Sequence, residues 1–164
     1  MSANAAADVA ARLRQIAARA ESEAPRAAVE ALSAAGQAMT RFTLGEHGTH
    51  ALGTPTPSDP GSPPAMVSGD LRDSVRRSPP VPVGPGRCSQ VMKSQLIYGS
   101  VHEFGPVTIQ AKNFPQLGNP TVGFFGKQVK IPRRPWMKPS MELLVTSRIG
   151  TRAASAAFLA VIDI

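Results

Sequence analysis

The stretch from Lys130 to Met141 constrains this chain more than any other, because it holds three prolines and the only tryptophan. Ile131 and Arg134 each precede a proline, and the residue before a proline is driven toward an extended backbone. Pro139 suits the first turn of a helix, where its missing N–H costs nothing. The stretch therefore predicts a strand, a stiff corner and then a helix that begins at about Pro139.

Trp136 and Met137 lie at that predicted corner. Burying a side chain of this size stabilises a fold by about 2–3 kcal/mol. Two interpretations of Trp136 stay open at this point. It is either an anchor in the core at the corner or a hot-spot residue at an interface between subunits, where Trp and Arg are enriched.

Two helical patterns occupy residues 1–44. Apolar residues recur at helical spacing from Asn4 to Ala24 and again from Val29 to Phe42, and the abundant alanine favours a helix locally. Pro25 separates the two patterns, so they form either two helices or one long kinked helix. Leu44-Gly45 provides the stop signal.

Residues 45–65 differ in composition, because Gly, Thr, Ser and Pro dominate and Leu52 is the one large apolar side chain. Such a sequence buries too little apolar surface to offset its ordering entropy, which predicts an exposed, extended loop. A long insert of this kind is usually functional or ordered by a partner. His47 and His50 lie within it, but a metal site there would lack a fourth ligand and a rigid frame.

Short helical and strand patterns alternate in the middle of the chain. Ser68 or Asp70 is a suitable cap for a short helix in which Leu71 and Val75 both face inward. Residues 88–93 alternate with a period of two, which predicts a strand.

A second short helix is predicted over residues 95–105, because Ile97, Val101 and Phe104 recur at helical spacing. Gly105 followed by a proline provides its stop signal. We expect this short helix or turn to be tucked under the sheet.

Val107 to Lys112 and Thr121 to Ile131 have strand patterns separated by a turn-rich connection, which predicts an antiparallel hairpin. The outer face of this hairpin carries three lysines: Lys112, Lys127 and Lys130. A final helix follows, and Gly150-Thr151 is expected to interrupt it before it resumes. These patterns predict an α+β fold, in which long N-terminal and C-terminal helices pack on a small antiparallel β-sheet and an extended Pro/Gly-rich loop joins them.

A chain of 164 residues is long enough for one domain with a real core. We expect a single α+β domain over residues 1–164. Its parts are a helical N-terminal part at 1–44, an extended loop at 45–65, a core with the sheet at 66–141, and a C-terminal helix and tail at 142–164.

The net charge of +7 lies entirely after residue 50, where 13 Lys and Arg face six acids. A basic part of this kind indicates contact with nucleic acid, an anionic surface or an acidic protein. The single Cys88 excludes an internal disulfide framework and favours a reduced, intracellular environment. No signal peptide is recognisable, and the longest apolar run, Ala156 to Ile162, is too short to span a bilayer. We therefore expect no membrane partner.

The sequence lacks the patterns that carry catalytic chemistry, such as a glycine-rich phosphate loop, a Cys pair or a nucleophile elbow. His102 and Glu103 are adjacent, so their side chains diverge and spacing alone does not make them an acid–base pair. We expect His102 to be a structural histidine with its hydrogen bonds satisfied. The prediction is a protein that is not an enzyme and uses no cofactor and no metal.

Three stretches resemble, in order and in spacing, the signatures of one family. Residues 68–75, Ser-Gly-Asp-Leu-Arg-Asp-Ser-Val, resemble a Ser/Thr-Gly-x-Leu-x-x-Ser-Ile/Val signature. Residues 98–105, Tyr-Gly-Ser-Val-His-Glu-Phe-Gly, resemble a Tyr-Ala-x-x-(hydrophobic or His)-Glu/Gln-Phe-Gly signature. Residues 131–140, Ile-Pro-Arg-Arg-Pro-Trp-Met-Lys-Pro-Ser, resemble a Pro-x-Arg-Pro-Phe-Leu-x-Pro-Ala signature with Trp136 at the usual Phe. The family is the tail-component or tail-completion proteins of tailed bacteriophages, the neck proteins between portal and tail tube.

The resemblance implies a structural α+β subunit that forms a ring of six copies in the virion neck and assembles in the host cytoplasm. Its implied partners are copies of itself, the adjacent connector and tail-tube proteins, and genomic DNA passing through the channel. A tail terminator or a head-to-tail stopper ring remains an alternative role. The structural and interface candidates are Leu71, Tyr98, His102, Glu103, Phe104, Gly105, Arg134, Pro135, Trp136, Met137 and Pro139, with the hairpin lysines Lys112, Lys127 and Lys130.

A basic nucleic-acid-binding module is the alternative from another class. The high pI, Arg76-Arg77, and Arg133-Arg134 beside Trp136 favour it. The scarcity of aromatic residues on which bases stack, and the lack of an evident reading helix, argue against it.

Overall fold

The computed structural model describes residues 3–46, 58–64, 68–110 and 128–162. Helices and short strands alternate along these residues, which confirms the predicted α+β class. In chain order the elements are α1 (Ala3–Glu46), α2 (Asp70–Asp73), β1 (Val75–Arg77), β2 (Val81–Gly84), β3 (Arg87–Ser89), β4 (Met92–Ser94), α3 (Ile97–Phe104), β5 (Val107–Gln110), β6 (Gln128–Ile131), α4 (Met137–Thr146) and α5 (Ile149–Ile162).

The two N-terminal helical patterns form one helix, since α1 continues through Pro25. Proline removes one hydrogen bond of the helix backbone, but the alanine-rich sequence on both sides has high helix propensity. Ala24 is fully buried beside the proline. Of the two alternatives at Pro25, the long single helix is therefore the correct one.

The strands form three two-stranded pairs: β1 with β4, β2 with β3, and β5 with β6. β2 and β3 are antiparallel, with Val81 opposite Ser89 and a register shift between Pro82 and Gly84. β5 and β6 are antiparallel and place Thr108 opposite Lys130. The predicted hairpin is confirmed over these residues, whereas Lys112 and Lys127 lie outside the described residues, as do His47 and His50.

Side-chain burial alternates from Cys88 to Lys93, with Cys88, Gln90 and Met92 half-buried and the residues between them exposed. The period of two is confirmed, although the strand is interrupted at Gln90 and Val91.

The chain forms two compact units. The first combines residues 1–39, 75–93 and 141–164, and the second combines residues 40–74 and 94–140.

The core of the first unit forms where α1, α4 and α5 meet around the buried Leu144. A Cβ atom on Gly36 of α1 would lie 3.5 Å from Leu144 Cδ2. A Cβ atom on Gly150 of α5 would lie 3.0 Å from Leu144 Cγ and only 2.7 Å from Leu32 Cδ1. Glycine at position 150 therefore lets the start of α5 approach α1 more closely than any side chain would allow.

Three expectations about helices need correction. The C-terminal helix breaks at Ser147 and Arg148, two residues before the expected Gly150-Thr151, because Arg148 adopts a left-handed conformation with φ 57°. Val75 is buried as predicted, but it belongs to strand β1 and not to the short helix, because α2 ends at Asp73. The prediction that Pro139 lies in the first turn of the next helix is confirmed, because α4 begins at Met137.

The third correction concerns α3, whose helical conformation is confirmed but whose apolar face is not packed under a sheet. Ile97 is 80% exposed and Phe104 is 81% exposed. The buried residues of α3 are Gly99 and Glu103 instead. Hydrophobic spacing indicated the helix, but it did not indicate which face would be covered.

Candidate functional site

The corner between β6 and α4 is fixed by the carboxylate of Glu103, which projects from α3 and is 8% exposed. Glu103 Oε2 lies 2.8 Å from the backbone nitrogen of Trp136 and 2.9 Å from that of Met137. Glu103 Oε1 lies 3.1 Å from the backbone nitrogen of Lys138. The N–H groups of a first helical turn have no partner inside the helix, and a carboxylate there also suits the helix dipole. Glu103 thus caps α4 from a separate element.

Trp136 is buried within the chain, with 2% of its surface exposed. Its indole Nε1–H donates to the carbonyl oxygen of Gly99 at 2.9 Å, which satisfies the polar end of a buried ring. Ser140 Oγ in turn donates to the carbonyl oxygen of Trp136. This is the location that the core-anchor interpretation of Trp136 expects.

Gly99 brings the first and second signature stretches into contact. A Cβ atom on Gly99 would lie 3.0 Å from Leu71 Cδ1 and 2.8 Å from Ser94 Oγ. Ser94 Oγ is hydrogen-bonded to Ser74 Oγ at 2.7 Å. The half-buried Leu71 therefore packs directly on the backbone of α3.

Two arginines hold the corner onto the end of α3 through backbone atoms. Arg133 Nε donates to the carbonyl oxygen of Glu103 at 2.9 Å, and the backbone N–H of Arg134 donates to the carbonyl oxygen of His102 at 2.8 Å. The Arg134 guanidinium donates to the carbonyl oxygen of Ser58 from Nε and Nη2, at 3.2 and 3.0 Å. Both side chains therefore stabilise the fold, because they donate hydrogen bonds to backbone carbonyl oxygens.

His102 departs from the expectation of a fully satisfied histidine. Its buried Nδ1 has no hydrogen-bond partner among the described residues. Burial lowers the pKa of His102, and the positive charge of Arg134 lowers it further. Tyr98 packs edge-on against its ring, with centroids 6.2 Å apart. Burial also raises the pKa of Tyr98, with a smaller contribution from the negative charge of Asp70.

The outer face of α3 is an exposed apolar stripe formed by Ile97 and Phe104, with the half-buried Val101 between them. Residues spaced by four and seven lie on one side of a helix. Tyr98, at 42% exposure, borders the stripe. Contiguous exposed apolar side chains of this kind mark interaction surfaces more often than isolated ones do.

The remaining predicted site residues lie around this corner or on the surface. Gly105 is buried and closes α3, because its N–H donates to the carbonyl oxygen of Val101 at 2.9 Å. Pro135, Met137 and Pro139 are half-buried at the start of α4, and Lys130 is exposed on β6. Gly99 and Arg133 were not among the predicted site residues. The sequence around a glycine, or around an arginine in a turn, does not indicate which distant part of the chain that residue will contact.

No protein-family model, no curated protein and no solved structure matches this chain. Within the described residues, no three His, Cys, Asp or Glu side chains are grouped so that they could hold a metal ion. In the same part of the chain, no helix has the length and apolarity that crossing a membrane requires. The corner and the exposed stripe are therefore the features of the molecule that bear on its function.

Proposed function

We propose that this protein is a structural virion subunit of a tailed bacteriophage, which forms a ring of six copies in the neck and joins the head or connector to the tail. It acts without catalysis and without a cofactor. It assembles in the host cytoplasm, against copies of itself and against adjacent connector and tail-tube proteins. A tail terminator or a head-to-tail stopper is the alternative role within the same class.

The observation that carries this proposal is the meeting of the three signature stretches in the second unit. Leu71 of the first stretch contacts Gly99 of the second, and Glu103 of the second caps the helix that begins in the third, at Met137. The residues that carry the resemblance thus act together as one mechanical unit. The capped start of α4 and the buried indole of Trp136 form a rigid corner. Such a corner suits a structural subunit better than it suits a binding site for a small molecule.

The stripe on α3 supports self-assembly. A ring requires two different complementary surfaces on each subunit, and burying a side chain such as Ile97 or Phe104 at a partner stabilises by about 2–3 kcal/mol. We assign this stripe to one of the two surfaces.

Nucleic-acid binding remains the second candidate, and one observation weakens it. Arg133 and Arg134, which favoured it in the sequence, direct their guanidinium groups to backbone carbonyl oxygens within the chain. Some N–H groups of these two guanidinium groups are therefore used in hydrogen bonds within the chain, and fewer remain to bind phosphate oxygens.

Negative-stain microscopy of the purified protein, alone and mixed with isolated tails, tests the proposal. We expect rings, or density added to one end of the tails. Phe104→Asp should abolish this assembly while leaving the far-ultraviolet circular dichroism unchanged. Val91→Asp is the matched control, because Val91 is 60% exposed and lies between β3 and β4, away from α3 in the sequence. A protein that stays monomeric with tails present, or a Phe104→Asp variant that still forms rings, would contradict the proposal.

A further inference from the structure

The first unit contains an open groove lined by arginines, and none of the described residues that line it belongs to the corner or to its stripe. It has a volume of about 450 Å³ and is lined by residues of α1, of β1 and of the segment that follows β1 to Pro80, together with Gln90. Its charged lining residues are Arg26, Glu30, Arg76 and Arg77, so positive charge exceeds negative charge. The neutral lining residues include Gln37 and Gln90 with Ser78, Pro79 and Pro80.

Arg77 is held in a fixed orientation by three hydrogen bonds to α1. Its Nε donates to Gln37 Oε1 at 3.1 Å, and its Nη1 donates to the carbonyl oxygen of Glu30 and to Ser33 Oγ, both at 3.2 Å. Gln37 is itself anchored, because its Nε2 donates to the carbonyl oxygen of Val75 at 2.7 Å. Arg77 lines the groove, and Nη2 takes no part in these three bonds, so its two N–H groups remain as donors. A guanidinium held in this way keeps a fixed positive charge beside the groove and has Nη2 as its remaining donor for an oxyanion.

Arg26 and Glu30 lie one helical turn apart on α1, and their charged groups make no hydrogen bond or ion pair with the described residues. Both side chains are exposed at the groove. An arginine and a carboxylate that are left without partners beside a fixed arginine provide both donors and an acceptor for a ligand.

We propose that this groove binds an acidic peptide segment of a partner protein. The arginines would take the carboxylates of such a segment, and Glu30 would accept a hydrogen bond from its backbone N–H. A DNA backbone offers only acceptors along its length, so it has no donor for the carboxylate of Glu30, whereas a peptide backbone has one at each N–H group. Among the described residues that line the groove, none is an aromatic residue on which a base could stack. The proposal does not depend on ring formation, because a monomer carries the complete groove.

Fluorescence anisotropy with a fluorescein-labelled octaglutamate peptide tests this proposal on the full chain. We expect saturable binding that weakens with salt and falls at least tenfold in Arg26→Gln and in Arg77→Gln. Arg87→Gln is the charge-matched control, because Arg87 is exposed outside the groove and should weaken binding by less than twofold. Arg26→Gln tests the proposal even if Arg77→Gln unfolds, since the Arg26 guanidinium makes no hydrogen bond or ion pair with the described residues.

Absence of octaglutamate binding would overturn the proposal, and so would equal weakening by Arg87→Gln and Arg26→Gln. A random-sequence single-stranded DNA and inorganic phosphate serve as competitors. Binding of the DNA more tightly than the peptide through the same arginines would assign the groove to nucleic acid instead. Displacement of the peptide by phosphate at equal concentration would reduce the groove to a site for a single oxyanion and overturn the peptide assignment.

Discussion

Glu103 Oε2 lies 2.8 Å from the backbone nitrogen of Trp136, although the two residues are far apart in the sequence. This hydrogen bond and its neighbours at Met137 and Lys138 replace the local side-chain cap that a helix usually carries. It makes the start of α4 depend on the position of α3. The corner therefore forms only when both elements are folded.

Glu103→Ala should lower the free energy of unfolding by about 2–3 kcal/mol. The substitution removes a helix cap and leaves buried N–H donors without an acceptor. Glu103→Gln should cost less, because one amide oxygen still accepts. Urea unfolding followed by Trp136 fluorescence measures both.

Glu23→Ala is the control: it removes an exposed carboxylate on α1 and should change the unfolding free energy by less than about 0.5 kcal/mol. Equal effects of Glu103→Ala and Glu23→Ala would show that the Glu103 carboxylate does not stabilise the start of α4.

Trp136→Ala should lower the free energy of unfolding by about 3–5 kcal/mol, because it leaves a large cavity at a buried position. Trp136→Phe should cost about 1–3 kcal/mol, since phenylalanine keeps most of the ring but leaves the carbonyl oxygen of Gly99 without its donor. Thermal unfolding followed by circular dichroism compares the two variants. An unchanged melting temperature in Trp136→Ala would show that the corner does not depend on this ring.

Two glycines in helices should respond to alanine in opposite directions. Alanine is favoured over glycine in a helix by about 1 kcal/mol. At Gly45 no heavy atom of the described residues lies within 4 Å of the new Cβ, so Gly45→Ala should stabilise by up to that amount. At Gly150 the new Cβ would lie 2.7 Å from Leu32 Cδ1, and overpacking costs about 1–3 kcal/mol.

Gly150→Ala should therefore be neutral to destabilising, by up to about 2 kcal/mol after the propensity gain is subtracted. Chemical denaturation of the two variants under identical conditions gives the comparison. A Gly150→Ala variant stabilised as much as Gly45→Ala would mean that α5 does not approach α1 as closely as described.

The stability of the protein should depend on His102 below about pH 6.5. Burial and Arg134 lower the pKa of His102 in the folded state, whereas the unfolded state keeps a value near 6.5. As the pH falls below that value, the unfolded state binds the proton first, so the free energy of unfolding decreases. Above pH 6.5 both states are neutral and the effect is absent.

His102→Gln removes this titration and leaves the carboxylates unchanged. Unfolding free energies measured from pH 7.5 to pH 5 should fall less steeply in His102→Gln than in the natural chain. Parallel pH profiles for the two proteins would show that the pKa of His102 is not lowered in the folded state.

The sequence alone determined the type and approximate position of most elements. Alanine content and apolar spacing specified α1, and the prolines around Trp136 specified a strand, a corner and a helix with Pro139 in its first turn. These are local effects, because a proline restricts its own backbone and that of its neighbour wherever the chain folds. The alternation of half-buried and exposed side chains from Cys88 to Lys93 is also a local effect, because successive side chains of a strand point to opposite faces.

Only the tertiary structure decided which faces are covered and which polar groups meet. Ile97 and Phe104 have the spacing of a buried face, yet Gly99 and Glu103 are the buried residues of α3, because the indole of Trp136 and the N-terminus of α4 lie on that side. Periodicity reports that a helix has two faces, and burial depends on what the rest of the chain brings to each of them. The partner of Glu103 was likewise undetermined until α4 and α3 came together.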